Sequence, residues 1–372
     1  MPEIILENVT KRFGKSIAVN NVNLEISDRS FISLLGPSGC GKTTILRMVA
    51  GLETPTSGNI YIDGKLVFSS EKGINVSPAK RGVGFLFQNY ALWPHMTVYK
   101  NIAFGLENLK WSKRDIRARV DELLKMLKIE EYESRYPSEL SGGQQQRVAI
   151  ARTLATGSKI LFLDEPLSNL DAKLRNDMRV ELKRLHEETD STFVYVTHDQ
   201  LEAMTLSTKI CLLNKGVLQQ YASPLDIYNK PANTFVADFV GNPSTNLVDA
   251  TVLDVDDDKI ALEFCGNTLA FVPKDSEGRL QTGQKVILGV RPELISVSEN
   301  GIMDGEIYSI LPSGMETVLK IEAGDLLLTA VIFGSVDYKV HQKIKFSFIT
   351  SRIVLFDKAD GKKIAIGSIQ NM

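Results

Sequence analysis

The chain has 372 residues, with 43 Lys+Arg against 45 Asp+Glu, a formal net charge of 43 − 45 = −2. Its 43% hydrophobic and 24% charged fractions exclude a disordered, collagen-like or disulfide-framework chain, and the near-zero charge argues against an overall polyanion binder. The length suggests two or three domains. No apolar run reaches the ~18–20 residues that span a bilayer, and no signal-peptide pattern is expected at Met1-Pro2-Glu3. Three scattered cysteines, Cys40, Cys211 and Cys265, predict neither a disulfide scaffold nor a zinc site, and suit a reducing cytosol.

The first predicted element that ends in chemistry is the apolar strand Phe31-Ile32-Ser33-Leu34-Leu35. It feeds into Gly36-Pro37-Ser38-Gly39-Cys40-Gly41-Lys42-Thr43, the phosphate-loop pattern GxxxxGK[ST]. Glycines let backbone N–H groups curl around phosphates. Lys42 is expected to reach the β- and γ-phosphates and the Thr43 hydroxyl to ligate Mg²⁺. Thr44 continues into a helix whose positive N-terminal end points at the nucleotide. Further on, Ser112 is a candidate N-cap, with Asp115 three residues later. Ile116, Val120, Leu123, Leu124 and Leu127 form one apolar helix face. Leu140-Ser141-Gly142-Gly143-Gln144 then opens a second helical pattern, where a hydroxyl and free N–H groups make an anion site. One nucleotide has one γ-phosphate, so two such helix starts point to a dimer in which this site faces the partner's nucleotide.

Ile160-Leu161-Phe162-Leu163 is apolar on both faces, as a central parallel strand requires. It ends in Asp164, suited to hold Mg²⁺ through water, and Glu165, suited to orient the attacking water or take its proton. Alone, this pair fits a strand end capped by two acids equally well. Phe193-Val194-Tyr195-Val196 is a third such strand, followed by Thr197-His198. His198 can be a γ-phosphate contact at the carboxyl edge of the sheet, or equally a surface or helix-capping residue.

Alternating strands and helices predict an α/β fold with a parallel sheet through residue 235. After it come short β-rich runs: Leu247–Val255, Lys259–Phe264, Lys285–Val290, Gly305–Leu311 and Lys343–Phe348. They predict a small all-β barrel or sandwich over 236–372. Residues 1–235 hold 30 Lys+Arg and 26 Asp+Glu, a net of +4, and residues 236–372 hold 13 and 19, a net of −6.

These motifs resemble the nucleotide-binding subunits of ABC transporters, whose signature is Leu140-Ser141-Gly142-Gly143-Gln144 between the two strand-end motifs. The resemblance implies an α/β P-loop NTPase: a RecA-like core, an antiparallel β subdomain and a helical subdomain at about 97–139. Phe13 resembles the aromatic residue that stacks on adenine, though a lone Phe is more often core. Gln88 resembles the Q-loop glutamine, which touches Mg²⁺ and senses the membrane partner. Ser168-Asn169-Leu170-Asp171 resembles the D-loop along the dimer seam, and His198 the switch histidine. A closer likeness, carried by Gln88–Val98, Val196–Met204 and the Val290-Arg291-Pro292-Glu293 segment, is to the maltose-type importer ATPases. Their second domain is OB-like (TOBE) and regulatory. Gln145, where those relatives often have Arg, and a long Ser69–Ser77 loop depart from the pattern.

The resemblance implies a homodimer that hydrolyses ATP with Mg²⁺ on the cytoplasmic face of the membrane. Two transmembrane permease subunits, an extracytoplasmic solute-binding protein and a regulatory protein on the second domain are implied partners. Sugars or oligosaccharides are the first expected solutes, with glycerol phosphate, polyamines, iron or sulfate behind. A non-transport ATPase acting on nucleic acid is the competing class. The −6 balance of the second domain has the wrong sign for a phosphate backbone, so no nucleic-acid partner is expected.

Overall fold

The computed structural model describes residues 2–256, 258–276, 278, 280–348 and 352–371. The chain divides into two compact units, 1–224 and 225–372.

The first unit opens with the hairpin β1 (Pro2–Phe13) and β2 (Ser16–Ser27), then β3 (Phe31–Leu35) and α1 (Lys42–Ala50). Next come β4 (Ser57–Ile62), β5 (Lys65–Ser69), β6 (Ile74–Asn75) and β7 (Val83–Leu86). Three helices follow: α2 (Val98–Asn108), α3 (Lys113–Met126) and α4 (Gly142–Ala155). The unit closes with β8 (Ile160–Asp164), α5 (Ala172–Thr189), β9 (Thr192–Val196), α6 (Gln200–Leu206), β10 (Lys209–Asn214) and β11 (Val217–Ala222).

Two sheets result. One is antiparallel, β2-β1-β4-β5-β6; the other runs β11-β10-β3-β9-β8-β7 and is parallel except at β11. Every residue of β3, β8 and β9 is buried. That is why these strands read as unbroken apolar runs: both faces are covered, so no period-2 alternation survives. Their neighbouring positions in the sheet bring three strand ends to one edge.

The helices follow their caps. Thr97 accepts a hydrogen bond from Lys100 N at the start of α2, and Ser112 accepts one from Asp115 N at the start of α3. The predicted stripe Ile116, Val120, Leu123, Leu124 and Leu127 is buried. Asp171 Oδ1 accepts from Lys173 N and Leu174 N and starts α5.

Among its described residues the second unit is β-rich, with two short α-helices, α7 (Pro224–Asn229), which begins at the division, and α8 (Thr234–Phe239). Its strands are β12 (Asn246–Val255), β13 (Ile260–Phe264), β14 (Asn267–Ser276), β15 (Lys285–Val290) and β16 (Ile295–Val297). They continue with β17 (Met303–Pro312), β18 (Glu316–Ala323), β19 (Leu326–Phe333), β20 (Lys343–Phe348), β21 (Ile353–Asp357) and β22 (Lys363–Asn371). A closed barrel, β12-β13-β14-β22-β21-β15, accompanies a five-stranded sheet, β16-β20-β17-β18-β19. One core spans both, with Phe264, Phe271, Leu288, Phe346 and Leu355 at its centre. The barrel-like architecture matches the OB-like expectation.

The division falls at 224/225 rather than 235/236, and Arg291 supplies the reason. This buried residue donates to Ala237 O, Val240 O and Tyr228 O and stacks over the Tyr228 ring at 4.0 Å. It ties α7 and α8 to the β-rich unit. Replacing it strands buried carbonyls at ~1–3 kcal/mol each. Arg291→Met is expected to lower the stability of the second unit by about 2–4 kcal/mol. Both tryptophans, Trp93 and Trp111, lie in the first unit. In urea, the far-UV CD transition should therefore shift while the tryptophan-fluorescence transition stays in place.

Candidate functional site

The phosphate loop turns between β3 and α1. Gly36 and Gly41 have φ of 150° and 104°. A Cβ on Gly36 would sit 2.2 Å from Leu213 O, and one on Gly41 would sit 2.5 Å from Ala18 O. Only glycine fits at these two points, which keeps the backbone of the loop bare on its inner side. Lys42 is buried, and its Nζ donates to Gly36 O at 2.8 Å and Pro37 O at 3.0 Å. The ammonium thus lies inside the loop formed by Gly36 to Gly41, held by the Gly36 and Pro37 carbonyls. Cys40 is buried beside it, and burial pushes its thiol pKa up despite the nearby Lys42 charge. Ser38 and Gly39 are exposed on the loop crest, and Pro37 and Thr44 are half-buried.

Thr43 Oγ1 donates to Asp164 Oδ1 at 3.0 Å, and Arg47 Nη2 stands 3.7 Å from Asp164 Oδ2. Asp164 is buried at the end of β8. Burial raises its pKa, opposed by the Thr43 hydrogen bond and the Arg47 charge. A hydroxyl and one carboxylate are the hard oxygen donors Mg²⁺ takes when substrate phosphates and water complete its shell. Among the described residues no group of three or more His, Cys, Asp or Glu could hold a metal alone. A site completed by substrate phosphates has the same composition.

Glu165 adopts φ 46° and its N–H donates to Val196 O at 3.1 Å. This left-handed turn is strained for a non-glycine residue. Ser168 fixes it by donating from both N and Oγ to Glu165 O. The Glu165 carboxylate gathers the other strand ends: Gln88 Nε2 donates to Oε2 at 3.3 Å, and His198 Nδ1 is 3.5 Å from the same oxygen. The Glu165 and His198 side chains are 23% and 59% exposed. The carboxylate is therefore part-buried and the imidazole exposed. Gln88 also lies 3.5 Å from Ser168 Oγ, and Asn169 Nδ2 donates to Gln88 O at 3.2 Å. Lys42, Thr43, Gln88, Asp164, Glu165, Ser168, Asn169 and His198 thus share the carboxyl edge of the parallel sheet.

The signature stands apart from this cluster. Ser141 Oγ accepts from Gln144 N at 3.4 Å, and Gln144 Oε1 accepts from Ser141 N at 2.8 Å, a capping box that starts α4. The Ser141 O–H remains a donor. A Cβ on Gly143 would lie 2.9 Å from Leu174, so the glycine lets α4 seat against α5. Gln145 donates to Pro137 O and Leu140 O, anchoring the turn before the helix. Among the described residues, no hydrogen bond or ion pair joins Ser141–Gln144 to the phosphate loop. Leu170 is buried, and Asp171 serves as the cap of α5. Phe13, at the end of the β1–β2 hairpin, is 49% exposed with Lys11 Nζ 4.7 Å from its ring centroid.

Sequence patterns missed the supports behind these groups. Buried Glu202 accepts from Tyr195 OH at 2.7 Å and Thr197 Oγ1 at 2.6 Å. Burial first, and the Glu202 charge second, hold the Tyr195 phenol protonated far beyond its usual range. Arg175 donates to Leu170 O at 2.9 Å and stands 3.7 Å from Asp199 and 4.0 Å from Glu202. It links the turn before α5 to the turn that carries His198. The spacing Tyr195-x-Thr197 before Glu202 was visible, but only the strand-to-helix turn brings the three together.

Residues 19–168 match the family described as ABC transporter. The chain is 43% identical to the trehalose/maltose import ATP-binding protein MalK of Thermococcus litoralis, over 98% of this chain and all of that one. It is 40% identical to the maltose/maltodextrin import ATP-binding protein MalK of Aliivibrio fischeri over 97% of each. It is 44% identical to the spermidine/putrescine import ATP-binding protein PotA of Thermotoga maritima, over 82% and 84% of the two chains. Among solved structures it resembles an ATP-binding cassette captured as a dimer after hydrolysis with ADP and Pi. That likeness has a TM-score of 0.52 and 36% identity over 59% of this chain and 98% of that one.

Proposed function

This chain belongs to the ABC transporter family as an ATP-hydrolysing importer subunit, and from that premise we propose how its residues divide the work. Two copies close on two ATP molecules, each held by one phosphate loop and the other copy's Ser141-Gly142-Gly143. Lys42 binds the β- and γ-phosphates, the backbone of Gly36 to Thr44 cradles them, and Phe13 stacks on adenine. Thr43, Asp164 and Gln88 would hold Mg²⁺, which would supply positive charge against the phosphates. Glu165 orients the attacking water and accepts its proton, and His198 steadies the γ-phosphate. Closure of Ser141–Gln144 over the site excludes water from all but the reacting position. Ser168–Asp171 lies along the seam, and Gln88 passes the change to the membrane.

The observation that carries this reading is the convergence of Gln88 and His198 on the Glu165 carboxylate, beside the phosphate loop. The dimer sits on the cytoplasmic face against two permease subunits, which receive solute from an extracytoplasmic binding protein. A regulatory protein is proposed to dock on the second unit. The solute is a sugar or oligosaccharide, since the MalK relatives cover nearly the whole chain.

Reconstitution with its permeases tests the solute. A binding protein loaded with maltose or trehalose should raise ATP turnover at least about tenfold, an effect of ~1.4 kcal/mol on the barrier. Stimulation by a spermidine-loaded protein alone would move the assignment to polyamines.

A further inference from the structure

Arg152 carries an inference that goes beyond these roles and rests on that reading. It lies on the last turn of α4, the helix that Ser141 begins. Its guanidinium donates through Nη2 to Tyr90 O at 2.7 Å and through Nη1 to Ala91 O at 2.6 Å. The same group lies 4.9 Å from the Trp93 ring centroid. Burial lowers its pKa. The charge is thus held among carbonyls and a ring.

The backbone it grips is unusual. Tyr90 and Ala91 have φ of 60° and 46°, and they are the one pair of adjacent non-glycine residues in the left-handed region among the described residues. Tyr90 N donates to Phe87 O at 2.9 Å and Ala91 N to Asn89 O at 2.7 Å, so the chain reverses immediately after Gln88. Left-handed backbone persists in such residues only where the surroundings hold it. A planar fork with two donors, seated on two successive carbonyls, is such a restraint.

We propose that Arg152 is a positioning residue for hydrolysis: its fork holds the Tyr90–Ala91 reversal so that the Gln88 amide meets the Glu165 carboxylate. Ser141 and Arg152 stand eleven residues apart on one helix, about 16 Å at 1.5 Å per residue. A rigid rod therefore joins the signature end to the Gln88 loop, and movement of the signature is passed to Gln88 through this grip.

A double-mutant cycle on the full-length chain tests it, with steady-state ATPase as the readout. Arg152→Met is expected to lower kcat about tenfold with the ATP KM changed less than about twofold, because the phosphate loop is untouched. In a Gln88→Ala background the same change should alter kcat by less than about twofold, since both act through one contact. Ala91→Gly, which relieves the strained φ, should recover a large part of the Arg152→Met loss. Independent, multiplying penalties, an unchanged kcat in Arg152→Met, or a loss confined to KM would each overturn the proposal. Should Arg152→Met not fold by CD, Arg152→Lys carries the same cycle, because it keeps the charge but not the fork. Absence of ATP hydrolysis by the unaltered chain would instead sink the functional reading, before any variant is compared.

Discussion

Glu165→Gln is expected to bind ATP as tightly as the unaltered chain while hydrolysis falls by about 10²–10⁴-fold, the usual contribution of a positioned general base. The substitution keeps the size of the side chain and an oxygen that can still accept from Gln88. It removes the negative charge and the basicity. The strained turn at residue 165 is held through the backbone N–H and C=O of Glu165, by Val196 O, Ser168 N and Ser168 Oγ, so it should survive the change. Nucleotide would then bind, the two copies would close, and the complex would accumulate before the bond breaks. Single-turnover release of phosphate checks the chemistry, and gel filtration with ATP should show a dimer that the unaltered chain does not retain. Wild-type turnover in this variant would remove Glu165 from the role of base.

Lys42→Ala should fail one step earlier. Hydrogen bonds to charged groups contribute about 1.5–3 kcal/mol, so the Kd for ATP should rise by about 10–150-fold. The loop itself should persist, because its shape comes from Gly36 and Gly41 packed against Leu213 and Ala18. Titration calorimetry measures the affinity, and thermal unfolding without nucleotide should show a loss of only about 1–3 kcal/mol from the freed Gly36 and Pro37 carbonyls. Tight binding with normal hydrolysis would exclude Lys42 from phosphate contact. The two variants separate capture from cleavage: one holds ATP without splitting it, the other does not hold it.

Much of this architecture is legible in the residue order, for physical reasons. β3, β8 and β9 are buried on both faces, so each stands out as an unbroken apolar run with a polar break at its end. The loop of Gly36 to Thr43 is local chemistry on contiguous residues and needs no tertiary knowledge. In the second unit, the runs Lys285–Val290 and Lys343–Phe348 coincide with β15 and β20.

What escaped reading depends on distant partners. α7 and α8 are six residues each, too short to show a helical period, and among their ties to the second unit are those of Arg291, more than fifty residues away. Arg152 closes the apolar helical run Val148-Ala149-Ile150-Ala151, and nothing in that run announces a grip on residues 90 and 91. Glu202 looks like one more acid in a helical first turn until Tyr195 and Thr197 are placed above it. A left-handed Glu165 carries no sequence mark, since glutamate has no preference for that conformation.

The exposure of the Glu165 and His198 side chains has a consequence for mixed pairs. A part-exposed carboxylate is expected to need the second copy's Ser141–Gln144 to cover it, so a mixed pair of an intact chain and one that cannot cleave keeps one complete site of two. With random pairing at equal dosage, only about one quarter of dimers contain two intact copies. A chain that still pairs and captures ATP but cannot cleave it is therefore expected to lower the ATP turnover of an equimolar mixture with the intact chain. One that has lost capture and pairing is expected to leave the turnover of the intact copies unchanged.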